Sequence, residues 1–150
     1  MGLDLSFSEN YWEDLERCLV DPSFDKTLIK KGFDFMSEAH KGQVRYSGRP
    51  YISHPVWIAK VIAQLHIGQE AVLAALLHDC VEDTKTKIDD IANQFGDEVA
   101  LLVSGLTEVK NKTEGIKINQ TNINVFRKFF FSSVNDVRVL IIRLVDKLHN

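Results

Sequence analysis

The residues best suited to chemistry in this chain are acids and histidines embedded in apolar stretches. His78 and Asp79 follow directly on the apolar run Ala71–Leu77, and Asp146 interrupts a second one, Val139 to Leu148. A carboxylate in such a setting is costly to bury unless it is paired or bound to a metal. Each has an ordinary explanation. His78 can cap a helix C-terminus, where a cation is favoured, and Asp146 can pair with Arg143 or Lys147. Two such acids on two core helices can also meet their desolvation cost together by converging on one cation. His54, next to Pro55 in a turn-forming string, supplies a third element. His54, His78, Asp79 and Asp146 would then form a mixed nitrogen and oxygen set suited to Mn, Fe, Zn or Ni. Four ligands leave positions open for water and substrate on a six-coordinate ion.

Glu82 and Asp83 lie one helical turn beyond His78 and Asp79. Glu82 is four residues from His78, on the same face of a continuous helix, where it could orient or deprotonate a water. The competing reading is an acidic pair exposed at a helix end. His40, His66 and His149 have no visible partner and are read as structural or solvated. Phe126, Phe129, Phe130 and Phe131 are read as core, since a base-stacking platform would be accompanied by a basic groove. Lys110, Lys112 and Lys117 are read as solvated, although they could reach phosphates.

The elements that must position these groups read as helical nearly throughout. Leu28, Ile29, Phe33, Met36 and Ala39 recur at three- and four-residue steps, one face of an amphipathic helix. The string from Gly42 to Pro55, with Ser47-Gly48, Arg49-Pro50 and His54-Pro55, predicts a loop. A helix over Val56–Leu65 and a central, buried helix over Glu70–Glu82 follow. Thr86 and Asp89 resemble a capping signal, with Ile88, Ile91 and Phe95 on one stripe and Gly96 as the stop. Asp97 opens a helix through Leu106. Thr107–Thr121 reads as a long loop and a candidate lid. Helices resume at Phe126–Phe131 and Val137–Leu148. No alternating strand pattern competes, so the fold class is all-α, a bundle of packed helices.

The chain has 150 residues, the size of one domain. At 45% hydrophobic and 26% charged residues it matches a globular protein, which excludes a disordered or fibrous class. A net charge of -3 argues against a broad nucleic-acid footprint, so no DNA partner is expected. No apolar stretch approaches the roughly 20 residues a membrane span needs, and no secretory signal is visible at the N-terminus. Cys18 and Cys80 read as free buried thiols, which fits a reducing, cytoplasmic location.

Four strings carry a family resemblance: Ala39-His-Lys-Gly-Gln43, Arg45-Tyr-Ser-Gly-Arg-Pro-Tyr-Ile-Ser-His-Pro55, Ala74-Ala-Leu-Leu-His-Asp-Cys-Val-Glu-Asp-Thr84 and Arg143-Leu-Val-Asp-Lys-Leu-His-Asn150. Over roughly residues 25 to 150 the chain resembles the hydrolase domain of the RelA/SpoT family, a helical bundle of the HD-domain phosphohydrolase type. The resemblance implies a Mn²⁺-dependent hydrolase, other divalent transition metals being suited too, that removes the 3′ pyrophosphate of the guanosine tetra- or pentaphosphate (p)ppGpp.

The same resemblance implies His54, His78, Asp79 and Asp146 as metal ligands and Glu82 with Asp83 as the pair that activates water. It also implies Arg45 flanking the guanine, Ser47 as a neighbouring pocket residue and Asn150 as a nucleotide contact. Two departures stand out. Tyr46 occupies a position where a basic or small residue is more usual, and the chain ends at Asn150 where the family helix continues. The expectation is therefore one hydrolase domain over residues 1–150, truncated at its C-terminus, whose parent protein can carry a synthetase domain. Two other functions compete: a non-catalytic alarmone-sensing domain, and an HD phosphohydrolase of another nucleotide.

Overall fold

In the computed structural model, residues 2–8, 10–113 and 136–150 are described, with 108–113 as helical backbone only. The helices are α1 (Tyr11–Glu16), α2 (Lys26–Ala39), α3 (Ser53–Gln64), α4 (Gln69–Leu77), α5 (Cys80–Asp83), α6 (Ile88–Phe95), α7 (Asp97–Thr113) and α8 (Val137–His149). No strand occurs among the described residues, only an isolated bridge between Val44 and Pro50. The all-α expectation holds.

Local chemistry sets the helix starts. The side chains of Asn10, Asp25 and Asp136 accept hydrogen bonds from the backbone N–H groups of Glu13, Leu28 and Arg138, satisfying donors that a helix start leaves open. Gly96, at φ 95°, ends α6 in a conformation that costs glycine nothing and allows α7 to start at the next residue. At α6 the start differs from expectation: the Asp90 carboxylate accepts from the Lys87 backbone N–H at 2.9 Å, and Thr86 instead meets the Thr84 hydroxyl.

The bundle is built around α4, whose residues Ala71–Leu77 are all buried and which packs against α2, α3, α7 and α8. Each fully buried leucine there contributes about 2 kcal/mol. Gly32 on α2 permits the close approach, since a Cβ at that position would sit 2.6 Å from Leu73 Cδ2.

Three boundaries differ from the sequence reading. The helix expected over Glu70–Glu82 breaks at His78–Asp79 and resumes as α5. Residues 107–113, expected as loop, continue α7. Helix α3 begins at Ser53, so His54 and Pro55 lie in its first turn, not in a turn before it. Proline is tolerated there because its missing N–H would be unpaired anyway. The expectations for residues 114–135, including Lys117, Phe126, Phe129, Phe130 and Phe131, and for the side chains of Lys110 and Lys112, lie outside what is described.

The N-terminal segment lies against α3. Lys60 of α3 is fully buried; its ammonium donates to the Ser6 carbonyl, lies 3.8 Å from the Asp4 carboxylate, and sits over the Phe7 ring. No helix among the described residues is long and apolar enough to cross a membrane.

Candidate metal centre

The break after α4, the first turn of α3 and the last turns of α8 bring His78, Asp79, His54 and Asp146 together, each no more than 5% exposed. One ligand atom each from His54, His78 and Asp146 lie within 4.8 Å of one another. Asp79 Oδ2 is 3.1 Å from His78 Nε2 and 3.9 Å from His54 Nε2. Asp146 Oδ1 is 2.9 Å from His54 Nε2 and 3.9 Å from His78 Nε2.

The tautomers of both imidazoles follow from what their other nitrogens touch. His78 Nδ1 lies 2.6 Å from the Ala75 carbonyl, which can only accept, so Nδ1 carries a proton. Its Nε2 is buried and makes no aligned hydrogen bond. His54 Nδ1 lies 2.7 Å from His149 Nδ1. That His149 nitrogen also faces the Arg45 guanidinium at 3.4 Å, and a guanidinium can only donate. His149 Nδ1 is therefore the acceptor and His54 Nδ1 the donor. Both Nε2 atoms then point lone pairs at carboxylate oxygens unless a proton or another cation lies between.

Electrostatics lead to the same point. Burial opposes charge on His78, but the Asp79 and Asp146 carboxylates outweigh it and push the imidazole up to about 9. Burial likewise resists ionisation of Asp146, yet the His54 hydrogen bond and the charges of His78 and Arg143 hold it below the usual range. The orphaned Nε2 and the mixed donors fit a divalent cation of the kind held by nitrogen and oxygen. The salt bridge weighed for Asp146 is also present. Arg143 Nη1 donates to Oδ2 at 2.5 Å, leaving Oδ1 for the cluster.

The cluster floors an open cleft of about 1210 Å³ lined by Arg45, Ser47, Arg49, Tyr51, Arg143 and Asn150, among others. Arg45 Nη2 donates to Asn150 Oδ1 at 3.2 Å, so two residues 105 apart in sequence form one wall. The loop carrying Arg45 turns at Gly48, φ 85°, and closes with Arg45 N–H donating to the Arg49 carbonyl. Tyr46 points fully into solvent. Glu82 and Asp83 on α5 are not part of the cleft lining. Glu82 is half-buried, and Asp83 Oδ2 lies 3.1 Å from the Tyr51 hydroxyl.

Three contributors were missed in the sequence. Tyr51 donates to Asp79 Oδ2 at 2.6 Å, and burial together with the Asp79 and Asp83 carboxylates raises its phenol well above the ordinary value. His149, expected to be structural or solvated, meets His54 edge to edge through the two Nδ1 atoms and stacks on Trp57, with ring centroids 4.9 and 4.5 Å away. Burial, with the nearby charges of His54 and Arg45, pushes it down to about 4. His40, read as partnerless, stacks on Tyr51 and meets Gln43 through Nδ1.

A family model described as HD domain matches residues 32–150. A guanosine-3′,5′-bis(diphosphate) 3′-pyrophosphohydrolase of Borreliella burgdorferi is 35% identical over 150 residues, which is 98% of this chain and 22% of that protein. A protein of the same name from Haemophilus influenzae is 43% identical over 113 residues, 75% of this chain and 16% of its own length. A putative chloroplastic GTP diphosphokinase of Arabidopsis thaliana is 38% identical over 95% of this chain and 17% of its own. The chain spans about a fifth of the length of these curated relatives. The resemblance drawn from the four strings is borne out.

Proposed function

The chain belongs to the HD domain family, and from that premise we propose that it is a divalent-metal-dependent hydrolase that removes pyrophosphate from the 3′ position of (p)ppGpp, leaving GDP or GTP. The observation that carries this reading is the convergence of two imidazoles, each with Nδ1 committed to another partner, on two buried carboxylates beneath an arginine-lined cleft. The names of two relatives support this choice of substrate.

His54, His78, Asp79 and Asp146 would hold the cation, and manganese suits the carboxylate half of this set, though other divalent transition metals share the preference. When bound, such a cation supplies Lewis acidity and lowers the pKa of water. Arg45 places its planar cation over the guanine, with Ser47 and Asn150 beside it. Glu82, on the short helix that follows the Asp79 break and outside the cleft lining, is proposed as the base that takes a proton from the attacking water. Asp83, tied through the Tyr51 hydroxyl to Asp79, fixes that water's direction. Water adds to the 3′ phosphorus, the bond from phosphorus to the ribose 3′ oxygen breaks, and that oxygen ends protonated.

Residues 1–150 are read as a single hydrolase domain. The parent protein is proposed to carry a synthetase domain, since the relatives are several times longer and one is called a GTP diphosphokinase. Its free, buried Cys18 and Cys80 suit a reducing cytoplasm. The test is incubation with Mn²⁺ and guanosine tetraphosphate, reading GDP and pyrophosphate. Binding without release of pyrophosphate favours a sensing domain, and turnover only of other nucleotides redirects the substrate.

A further inference from the structure

His149 is the last residue of α8, a full helical turn from Asp146 and set between two rings of α3. Its Nδ1 receives two donors: His54 Nδ1 at 2.7 Å and Arg45 Nη1 at 3.4 Å. We infer that His149 is a positioning residue that fixes the tautomer and rotation of His54, accepting its Nδ1 proton so that the bare Nε2 is turned toward Asp146 and the cation site. The inference rests on the proposed reading of His54 as a ligand.

A neutral imidazole carries one proton, and a metal ligand needs its coordinating nitrogen bare. In solution the two tautomers exchange freely. A hydrogen-bond acceptor at Nδ1 is the usual means of holding the correct one and raising the basicity of the other nitrogen. For His78 the backbone supplies that acceptor, through the Ala75 carbonyl. For His54 no backbone carbonyl is recorded at that position, and an imidazole does the work instead. An imidazole can fail where a carbonyl cannot, because it can present a donor. The Arg45 guanidinium prevents this: it only donates, so it opposes a proton on the shared His149 nitrogen. Trp57, stacked 4.5 Å away and nearly parallel at 28°, fixes the plane of the ring.

A consequence follows for Arg45. As the residue proposed to meet the base, it also helps hold His149 in its accepting form, so nucleotide and cation are coupled through one nitrogen. Ring stacking and hydrogen-bond acceptance make opposite demands on replacements, which separates this role from mere packing. Phenylalanine keeps the stack and loses the acceptor. Asparagine loses the stack but can present Oδ1 where Nδ1 stood.

The experiment titrates Mn²⁺ into the nucleotide-free chain and follows free Mn²⁺ by electron paramagnetic resonance, for the natural chain, His149→Phe, His149→Asn and Asp146→Ala. The expected result is affinity about 10- to 100-fold weaker in His149→Phe, the scale for losing an outer partner of a metal-bound histidine, with His149→Asn restoring most of it. Wild-type affinity in His149→Phe, or a loss in His149→Asn greater than in His149→Phe, would overturn the inference. Should His149→Phe fail to fold, the order of affinities between His149→Asn and the natural chain decides: a loss beyond tenfold in His149→Asn overturns it. Absence of Mn²⁺ binding in the natural chain, or retention of full binding in Asp146→Ala, instead sinks the metal site itself.

Discussion

Tyr51 and Asp79 are joined by a 2.6 Å hydrogen bond from the phenol to Oδ2, and the same oxygen of Tyr51 lies 3.1 Å from Asp83 Oδ2. One hydroxyl proton cannot serve both carboxylates fully, so the shorter contact holds it and Asp83 is left with the weaker share. Tyr51→Phe should keep the stack on His40 while freeing Asp79 to rotate. The expected loss is about tenfold or more in Mn²⁺ affinity or turnover. Unchanged values for both, measured by metal titration and pyrophosphate release, would show that the phenol plays no part in holding Asp79.

Glu82→Gln should leave Mn²⁺ content and nucleotide affinity near those of the natural chain while turnover falls by roughly 100-fold or more, the scale for losing a general base. Asp83→Asn should act in the same direction. The double variant should lose less than the product of the two, because groups that serve one step are not additive. Wild-type hydrolysis by Glu82→Gln would leave the proposed water activation without a base.

Arg45→Ala should weaken nucleotide binding by at least tenfold, and should also weaken Mn²⁺ binding by a few-fold through the His149 contact. A calorimetric titration of nucleotide, with and without saturating Mn²⁺, reads both. Equal affinity in the variant and the natural chain would remove Arg45 from the base contact.

Asp4 gives an expectation for pH. The Ser6 hydroxyl hydrogen bond and the Arg17 guanidinium hold its carboxyl well below the usual carboxylate range. A group depressed in the folded state contributes stability above its unfolded value near pH 4, and that contribution is lost as pH falls. Thermal melts between pH 7 and pH 2 should therefore show a drop that is shallower in Asp4→Asn, whose midpoint at pH 7 starts lower. Parallel curves for the two chains would mean that Asp4 is not linked to folding.

How much of this was legible in the sequence depends on the range of the interaction. The periodic stripe Ile29, Phe33, Met36 and the stop at Gly96 are local, and each is where the pattern puts it. The pairing of Asp146 with Arg143 is three residues long and was anticipated as well. His149 was not, because its partners His54 and Trp57 stand some ninety residues away and its own neighbours give no hint of them. Tyr51 sits inside the string that predicts a loop, but its target Asp79 becomes visible only in three dimensions. The break at His78–Asp79 was hidden by apolar residues on both sides, which keep the helical pattern unbroken while the backbone turns.

A gene trimmed to the family match, starting at residue 32, would remove what covers Lys60. That ammonium has no exposure to water, and its recorded partners are the Ser6 carbonyl, 54 positions earlier, the Asp4 carboxylate and the Phe7 face. An ammonium kept dry without those partners would cost several kcal/mol, so in the trimmed chain Lys60 would turn to water and the face of α3 around it would open. The opening residues thus act as the solvent of a charge belonging to the helix that carries His54, and Phe7 forms part of the cleft wall. A shortened gene product that precipitates on expression would be reporting the face of α3 that α1 and the opening residues normally cover.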